Sequence, residues 1–288
     1  MPDLISVVIA CYDRPDALNA VLRGLARQTD RAFEVIVADD GSPPSTAAVV
    51  TNWTDRIGVP LSHVWQEHHE FRAPELSNRA ILRSRGDYLL FLDGDCIPPP
   101  TFVAAHRGLA EPGWFVFGNR VLMSRTLTET VLRENLEPEI WTFLDFARQR
   151  GRRAINRLLP AISLPLGPLR KRNSRDWRSV RTCNLGVWRS DFEHINGQEA
   201  AYRGWGPHDS DMAVRLIRSG RRRKDGRFRT GVLHLWHPDA ERVRLAENQE
   251  IFRETLASNR TRAVQGLEQM RDGMAMATSQ SAGSLHQQ

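Results

Sequence analysis

The sequence has little of what marks several common protein classes. Its 288 residues include three cysteines, Cys11, Cys96 and Cys183, far apart in the chain. So few, and an odd number, give no disulfide framework and no CxxC metal knuckle. Each reads as a small buried residue in a reducing compartment. No apolar run approaches the ~18 residues that span a bilayer. The opening MPDLISVVIACYDRP has no basic leader and no cleavage site. The expected location is therefore cytoplasmic, either soluble or peripheral on the inner face of the cell membrane. No internal repeat is visible.

Lysine is almost missing. Lys171 and Lys224 are the only two among 40 basic residues. An arginine excess this uniform reads as coding composition more than function. Its distribution is more telling. Phe146 to Arg181 holds eleven Arg or Lys against one acid, Asp176, a net of +10 in a chain of +6. The basicity is local, and the remainder is acidic. With 41% hydrophobic and 26% charged residues the chain is neither disordered nor collagen-like. It is long enough to bury a large core without staples.

The first half alternates two periods. Leu4–Ala10, Phe33–Ala38, Leu61–Gln66 and Tyr88–Leu92 are short apolar runs and read as strands. Asp16–Arg27, Ser45–Trp53 and Ala73–Ser84 have helical spacing, the first and third with a proline at the start. Strands alternating with helices predict a parallel sheet with crossovers. In such sheets a ligand sits at the carboxyl ends of the strands. Tyr12-Asp13-Arg14, Asp39-Asp40 and Asp93-Gly94-Asp95 all fall there. The second half is less regular. Pro100–Ala110 and His208–Ser219 read as helices, and Thr126–Gln149 as mostly helical. Trp114–Val121, Thr182–Trp188 and Gly231–Trp236 read as strands. Leu245–Met270 reads as one long polar helix. The tail 272–288 has no packing face and reads as disordered.

Three clusters carry candidate chemistry. Asp93 and Asp95 flank a glycine at a strand end, where two carboxylates can hold a hard divalent cation and through it a diphosphate. Read alone, the same three residues make an ordinary acidic turn. Gly204-Trp205-Gly206-Pro207-His208-Asp209-Ser210-Asp211 places carboxylates at a helix start. There they either cap amides or serve as a base for an acceptor hydroxyl. Trp205 offers a flat face to a sugar ring. His234-Leu235-Trp236-His237-Pro238 supplies two imidazoles, which suit Mn²⁺ better than Mg²⁺.

Together and in this order, the segments SVVIACYDRPDAL, FEVIVADDGS, FRAPELSNRAILRSRGDYLLFLDGDC, GWGPHDSD and HLWHP resemble the inverting GT-A glycosyltransferases of family 2. The likeness is to the branch with a galactosyltransferase-type C-terminal segment, which includes chondroitin-polymerase-like enzymes. It runs from about residue 5 to residue 238.

The resemblance implies an α/β fold with a GT-A-type, Rossmann-like mixed sheet flanked by helices. The expected organisation is a single domain over 1–240, with a nucleotide-binding half (1–98) and an acceptor half (99–240) carrying the basic insertion 146–181. A C-terminal helical segment, 241–271, follows. The implied activity is metal-dependent transfer of a hexose or N-acetylhexosamine from a UDP-sugar to a hydroxyl. The acceptor would be a glycan or lipid-linked glycan, in bacterial surface polysaccharide synthesis.

By position, Asp13, Asp39 and Asp40 would hold the nucleoside, and Arg72 and Asn78 would face the nucleotide and phosphates. Asp93 and Asp95 form the DxD pair for Mn²⁺ or Mg²⁺, Asp95 more directly. Asp209 is the catalytic base. His234 or His237, with a lean to His237, is the late metal ligand. Trp205, His208 and Asp211 face the acceptor. Pro207 and His208 stand where the family usually has Gly-Glu, which leaves the sugar open.

Two other functions remain to be separated: a catalytically silent nucleotide-sugar-binding subunit, and a nucleotidyltransferase. The basic insertion has an apolar centre, Leu158 to Leu166, and reads as a contact with an anionic membrane or as a lid. A nucleic-acid partner is disfavoured, because Trp177 is the only aromatic in its arginine-rich part.

Overall fold

Apolar runs from the first 98 residues form the centre of the fold in a computed structural model, which describes residues 1–158 and 162–273. β1 (Ile5–Cys11) lies between β2 (Phe33–Asp39) and β4 (Tyr88–Asp93), parallel to both. All seven residues of β2 are buried. A strand covered on both faces reads as a continuous apolar run rather than an alternation. β3 (Leu61–Trp65) pairs in parallel at the edge. α1 (Pro15–Ala26), α2 (Pro44–Thr54) and α3 (Ala73–Arg83) connect these strands, each with proline in its first turn. Proline fits there because the first helical amides have no intrahelical acceptor.

The sheet becomes mixed in the second half. β8 (Asn184–Trp188) runs antiparallel to β4 and to β6 (Trp114–Phe117), and β9 (Arg222–Asp225) runs parallel to β6. The order is β3-β2-β1-β4-β8-β6-β9. A small second sheet has the order β5-β10-β7, from β5 (Cys96–Ile97), β10 (Val232–His234) and β7 (Arg120–Leu122). The remaining helices are α4 (Phe102–Leu109), α5 (Arg125–Arg133), α6 (Phe143–Gly151), α7 (Arg189–His194), α8 (His208–Arg218) and α9 (Leu245–Ala257). Alternate strand residues feed two cores. Val7, Ile9, Val35 and Leu90 face one layer of helices, and Val8, Ile36, Leu89 and Leu185 face the other.

Several local expectations change. The run 114–121 is two strands in two sheets, not one. The segment 126–149 is two helices separated by a 3₁₀ turn at Pro138–Ile140. The long helix expected over 245–270 ends at Ala257, and a second helical stretch starts at 267. Leu267 from that stretch is buried in the second core, so the C-terminal segment packs on the sheet. Of the tail expected to be disordered, 272 and 273 complete this helix, and 274–288 lie outside the described residues.

Candidate active site

The site is built where β1, β2 and β4 end. The Gly94 amide donates to the Ala10 carbonyl at 2.7 Å, which folds the DxD turn back onto β1. A Cβ at Gly94 would lie 2.8 Å from the Cys11 Cβ, so only glycine fits this approach. The Asp95 carbonyl accepts from the Leu235 amide at 2.9 Å, so the end of β10 is fastened to the same turn. His234 and His237 are thereby brought to one carboxylate. His237 Nε2 lies 3.4 Å from Asp95 Oδ2, and His234 Nε2 lies 3.6 Å from Asp95 Oδ1. Both histidines therefore face Asp95, His234 buried and His237 half-buried.

Asp209 comes from the opposite half, in the first turn of α8. Pro207, not Asp209, occupies the cap position, and no side chain caps this helix. The Asp209 carboxylate turns away to Thr182, whose hydroxyl donates to Oδ1 at 2.6 Å. His208 Nε2 lies 3.2 Å from the same oxygen. Ahead of them, Gly204 has φ +66°, and a Cβ at Gly206 would lie 2.7 Å from Asn248. Two glycines thus let the loop swing Trp205 outward, where it is 43% exposed. The Arg242 guanidinium stacks 4.8 Å from the centre of the Trp205 ring.

Electrostatics couple the two halves. Burial first, then the charges of Asp95 and Asp209, push Asp93 up to about 8, against a weaker opposing pull from Arg120. Three carboxylates converge with too little positive charge between them. A divalent cation with oxygen and imidazole donors would complete such a site, and Asp93, Asp95, His234 and His237 could hold one. Burial lowers the pKa of His234 to about 4, although Asp95 pulls the other way. His234 is therefore neutral near pH 7, the form that ligates metal.

Other expected residues are placed differently. Asp211 is a correction. It is fully buried and paired with Arg215 at 2.8 Å, and it accepts from Thr255 at 2.7 Å, so it has no face for an acceptor. Asn78 is a second correction. It is fully buried, and its amide donates to the Gln198 carbonyl and accepts from the Gln198 amide. It braces α3 against the loop after α7 and does not face a nucleotide. Asp39 is also buried, with Ser42 and His63 on its two oxygens. Burial opposes its ionisation, but the hydrogen bonds from His63 and Ser42 hold its pKa below the usual value.

Asp40 accepts from Gln66 and from the Arg72 amide, fixing the loop that precedes α3. The Arg72 side chain reaches Glu75 at 3.4 Å. Asp13 is exposed, with φ +44°, and its amide donates to Ser42 Oγ.

Three contributors were not foreseen. Arg120 on β7 acts on Asp93 and Asp95. Thr182 holds Asp209. His68 stacks on Tyr12, with ring centres 4.3 Å apart. Arg120 and Thr182 lie in no motif, so only the tertiary fold locates them. The basic stretch 146–181 is partly fastened down. Arg170 is buried and donates to the carbonyls of Leu164, Asp225 and Arg227. Residues 159–161 of its apolar centre lie outside the described residues.

The profile of Glycosyl transferase family 2 matches residues 6–172, more than half of the chain. The chain belongs to this family. A second profile, the N-terminal domain of galactosyltransferase, matches residues 170–241. A validoxylamine A glucosyltransferase of Streptomyces hygroscopicus subsp. jinggangensis (strain 5008) is 30% identical over 234 residues, covering 75% of this chain and 52% of the relative. Chondroitin synthase of Escherichia coli is 26% identical over 239 residues, 76% of this chain and 33% of that protein. The chain spans about half, or less, of the length of these relatives.

Two solved structures share the GT-A fold. A mannosyltransferase from Pyrobaculum calidifontis in complex with GDP-Man and Mn²⁺ has a TM-score of 0.54 at 17% identity, over 81% of this chain and 57% of that one. S. aureus TarS 1-349 in complex with UDP-GlcNAc has a TM-score of 0.53 at 14% identity, over 82% and 59%. Among the described residues no helix is long and apolar enough to cross a membrane.

Proposed function

We propose that this chain is a metal-dependent, inverting glycosyltransferase. It moves a hexose or N-acetylhexosamine from a UDP-sugar to a hydroxyl of a glycan or lipid-linked glycan, in bacterial surface polysaccharide synthesis. The observation that carries this reading is Asp209. It stands at a helix start without capping it, and its charge acts on Asp93 of the DxD turn from the other half of the fold. The relatives, a validoxylamine A glucosyltransferase and a chondroitin synthase, support the reaction class. The two neighbouring structures carry nucleotide-sugars, one of them with Mn²⁺.

The residues divide the work. Tyr12, Asp13 and the loop fixed by Asp39 and Asp40 receive the nucleoside, and Arg72 faces the phosphates. Asp95, His234 and His237, with Asp93, would hold Mn²⁺ or Mg²⁺. When bound, that ion neutralises charge on the leaving diphosphate. Asp209 accepts the proton of the attacking hydroxyl as the acceptor oxygen bonds to the anomeric carbon and the bond to the diphosphate oxygen breaks. Thr182 and His208 both contact Oδ1, which orients the carboxylate and leaves Oδ2 to take the proton. Attack opposite the leaving group inverts the centre, so an α-linked donor gives a β-linked product. Trp205 and His208 face the acceptor.

A lipid-linked acceptor fits the outer surface of the basic stretch. Phe143 and Leu144 are exposed at the start of α6, and Arg148, Arg150, Arg152 and Arg153 follow. Apolar side chains beside arginines suit an anionic membrane surface. Equal co-sedimentation with neutral and anionic vesicles would count against that contact.

The reaction is tested by nucleotide release from a panel of UDP-sugars, with and without Mn²⁺. Slow metal-dependent release of UDP from one donor is the expected result. No release, together with no thermal shift from UDP plus Mn²⁺, overturns the reading.

A further inference from the structure

Two thiols lie against the carboxylates, and the proposed reaction uses neither. Cys96 directly follows Asp95 and opens β5. Cys183 directly precedes β8. Antiparallel pairing of β8 with β4 sets Leu92 opposite Asn184, so the next step of the register brings Cys183 to Asp93. A carboxylate oxygen of Asp93 and the sulfurs of Cys96 and Cys183 all lie within 4.8 Å of one another. On its other side, Cys96 Sγ is 3.7 Å from Asp95 Oδ1, and Asp95, Cys96 and His234 form a second such group. All three cysteines of the chain are free.

We propose that Cys96, Cys183 and Asp93 form a second metal site, for a thiophilic divalent ion such as Zn²⁺. Its donors differ in kind from the oxygen and imidazole set of Asp95, His234 and His237. Thiolate sulfur selects Zn²⁺ and other soft or borderline ions, whereas carboxylates suit Mn²⁺ and Mg²⁺. A tetrahedral zinc ion with bonds of about 2.3 Å to sulfur and about 2.1 Å to oxygen places its donors roughly 3.6–3.8 Å apart. The present spacing reaches that with side-chain shifts of roughly an ångström.

The two sets share Asp93. An ion held by the sulfurs therefore takes Asp93 from the outer set, and Zn²⁺ opposes transfer supported by Mn²⁺. That consequence rests on the proposed function, but the metal site itself does not.

The test uses the full chain, reduced and metal-free, titrated with Co²⁺ as an optical stand-in for Zn²⁺. The expected result is a sulfur-to-cobalt charge-transfer band in the near ultraviolet that Zn²⁺ discharges. The band is lost in Cys183→Ser and in Cys96→Ser, with Zn²⁺ affinity falling roughly tenfold or more. Cys11→Ser, another buried thiol near the same turn, keeps the band.

Circular dichroism and the thermal shift from UDP plus Mn²⁺ report whether Cys183→Ser is folded, and Cys183→Ala is the second variant if it is not. Cobalt binding without a charge-transfer band overturns the site, as does a band that survives in folded Cys183→Ser or disappears in Cys11→Ser. A band of the expected kind in a protein that binds no UDP would leave this site standing and remove the proposed function.

Discussion

β1, β2 and β4 are held by Val7, Ile9, Val35, Val37, Leu90 and Leu92, which pack in one apolar core. The elements around β8, β6 and β9 have an apolar core of their own, with Phe115, Leu185 and Val187, and add buried arginines to it. Arg215 is fully buried and donates to the carbonyls of Ile195 and Gly197 as well as pairing with Asp211. Arg189 reaches the Gly86 carbonyl and Ser84. Arg223 is buried over the Phe117 ring and bonded to Asp176. A planar cation with five donors can satisfy several loop carbonyls at once, which lysine cannot. These arginines therefore have a structural role. The candidate active site lies on the seam. The DxD turn and the late histidines adjoin the apolar core of β1, β2 and β4, which includes Cys96, Leu233 and Leu235, and the base comes from the arginine-clipped half.

The largest contrast should come from two aspartates two residues apart. Asp209→Asn removes the proposed base, and transfer rates should fall about 10²–10⁴-fold with stability little changed. Initial rates and thermal melts on the same preparation check this. Asp211→Ala should do the reverse. It leaves Arg215 buried without its partner, at a cost of about 3–5 kcal/mol, and the melting temperature should drop sharply. A stable Asp211→Ala protein with lost activity would reinstate Asp211 as an acceptor residue.

Asn78→Ala should destabilise less, about 1–3 kcal/mol, because the Gln198 amide and carbonyl lose their partners. The urea midpoint should fall while the folded variant keeps its affinity for UDP. Lost affinity at unchanged stability would return Asn78 to the nucleotide site.

The smallest effect is an acid one. Burial lowers the pKa of His106 to about 4, below its ordinary value of 6.5, despite the bond to Asn184. The folded state thus binds its proton less tightly than the unfolded state. The contribution of His106 is complete above pH 6.5 and is lost as pH falls toward 4. Denaturant unfolding at pH 7 and pH 5 should differ less in His106→Gln than in the parent.

This contrast also explains what could be read from sequence. β1, β2 and β4 were legible because a doubly covered strand is an unbroken apolar run. The DxD turn was legible because it follows such a run directly. β9 was not, because its four residues Arg222-Arg223-Lys224-Asp225 are all charged and only tertiary partners make them a strand. The roles of Asp209 and Asp211 could not be separated either. Two residues apart on a helix means about 200° of rotation, so one carboxylate faces the site and the other the core. The sequence does not show which is which. Asn78 misled for a similar reason, since its partner, Gln198, lies 120 residues away.

The division of labour across the seam is tested most directly by calorimetric titration of UDP with Mn²⁺ into the parent protein, Asp95→Ala and Asp209→Asn. Donor binding should be nearly unchanged in Asp209→Asn and should lose its metal dependence in Asp95→Ala. Equal loss of binding in both variants, or metal-dependent binding that survives Asp95→Ala, would contradict the assignment of metal and base to opposite halves.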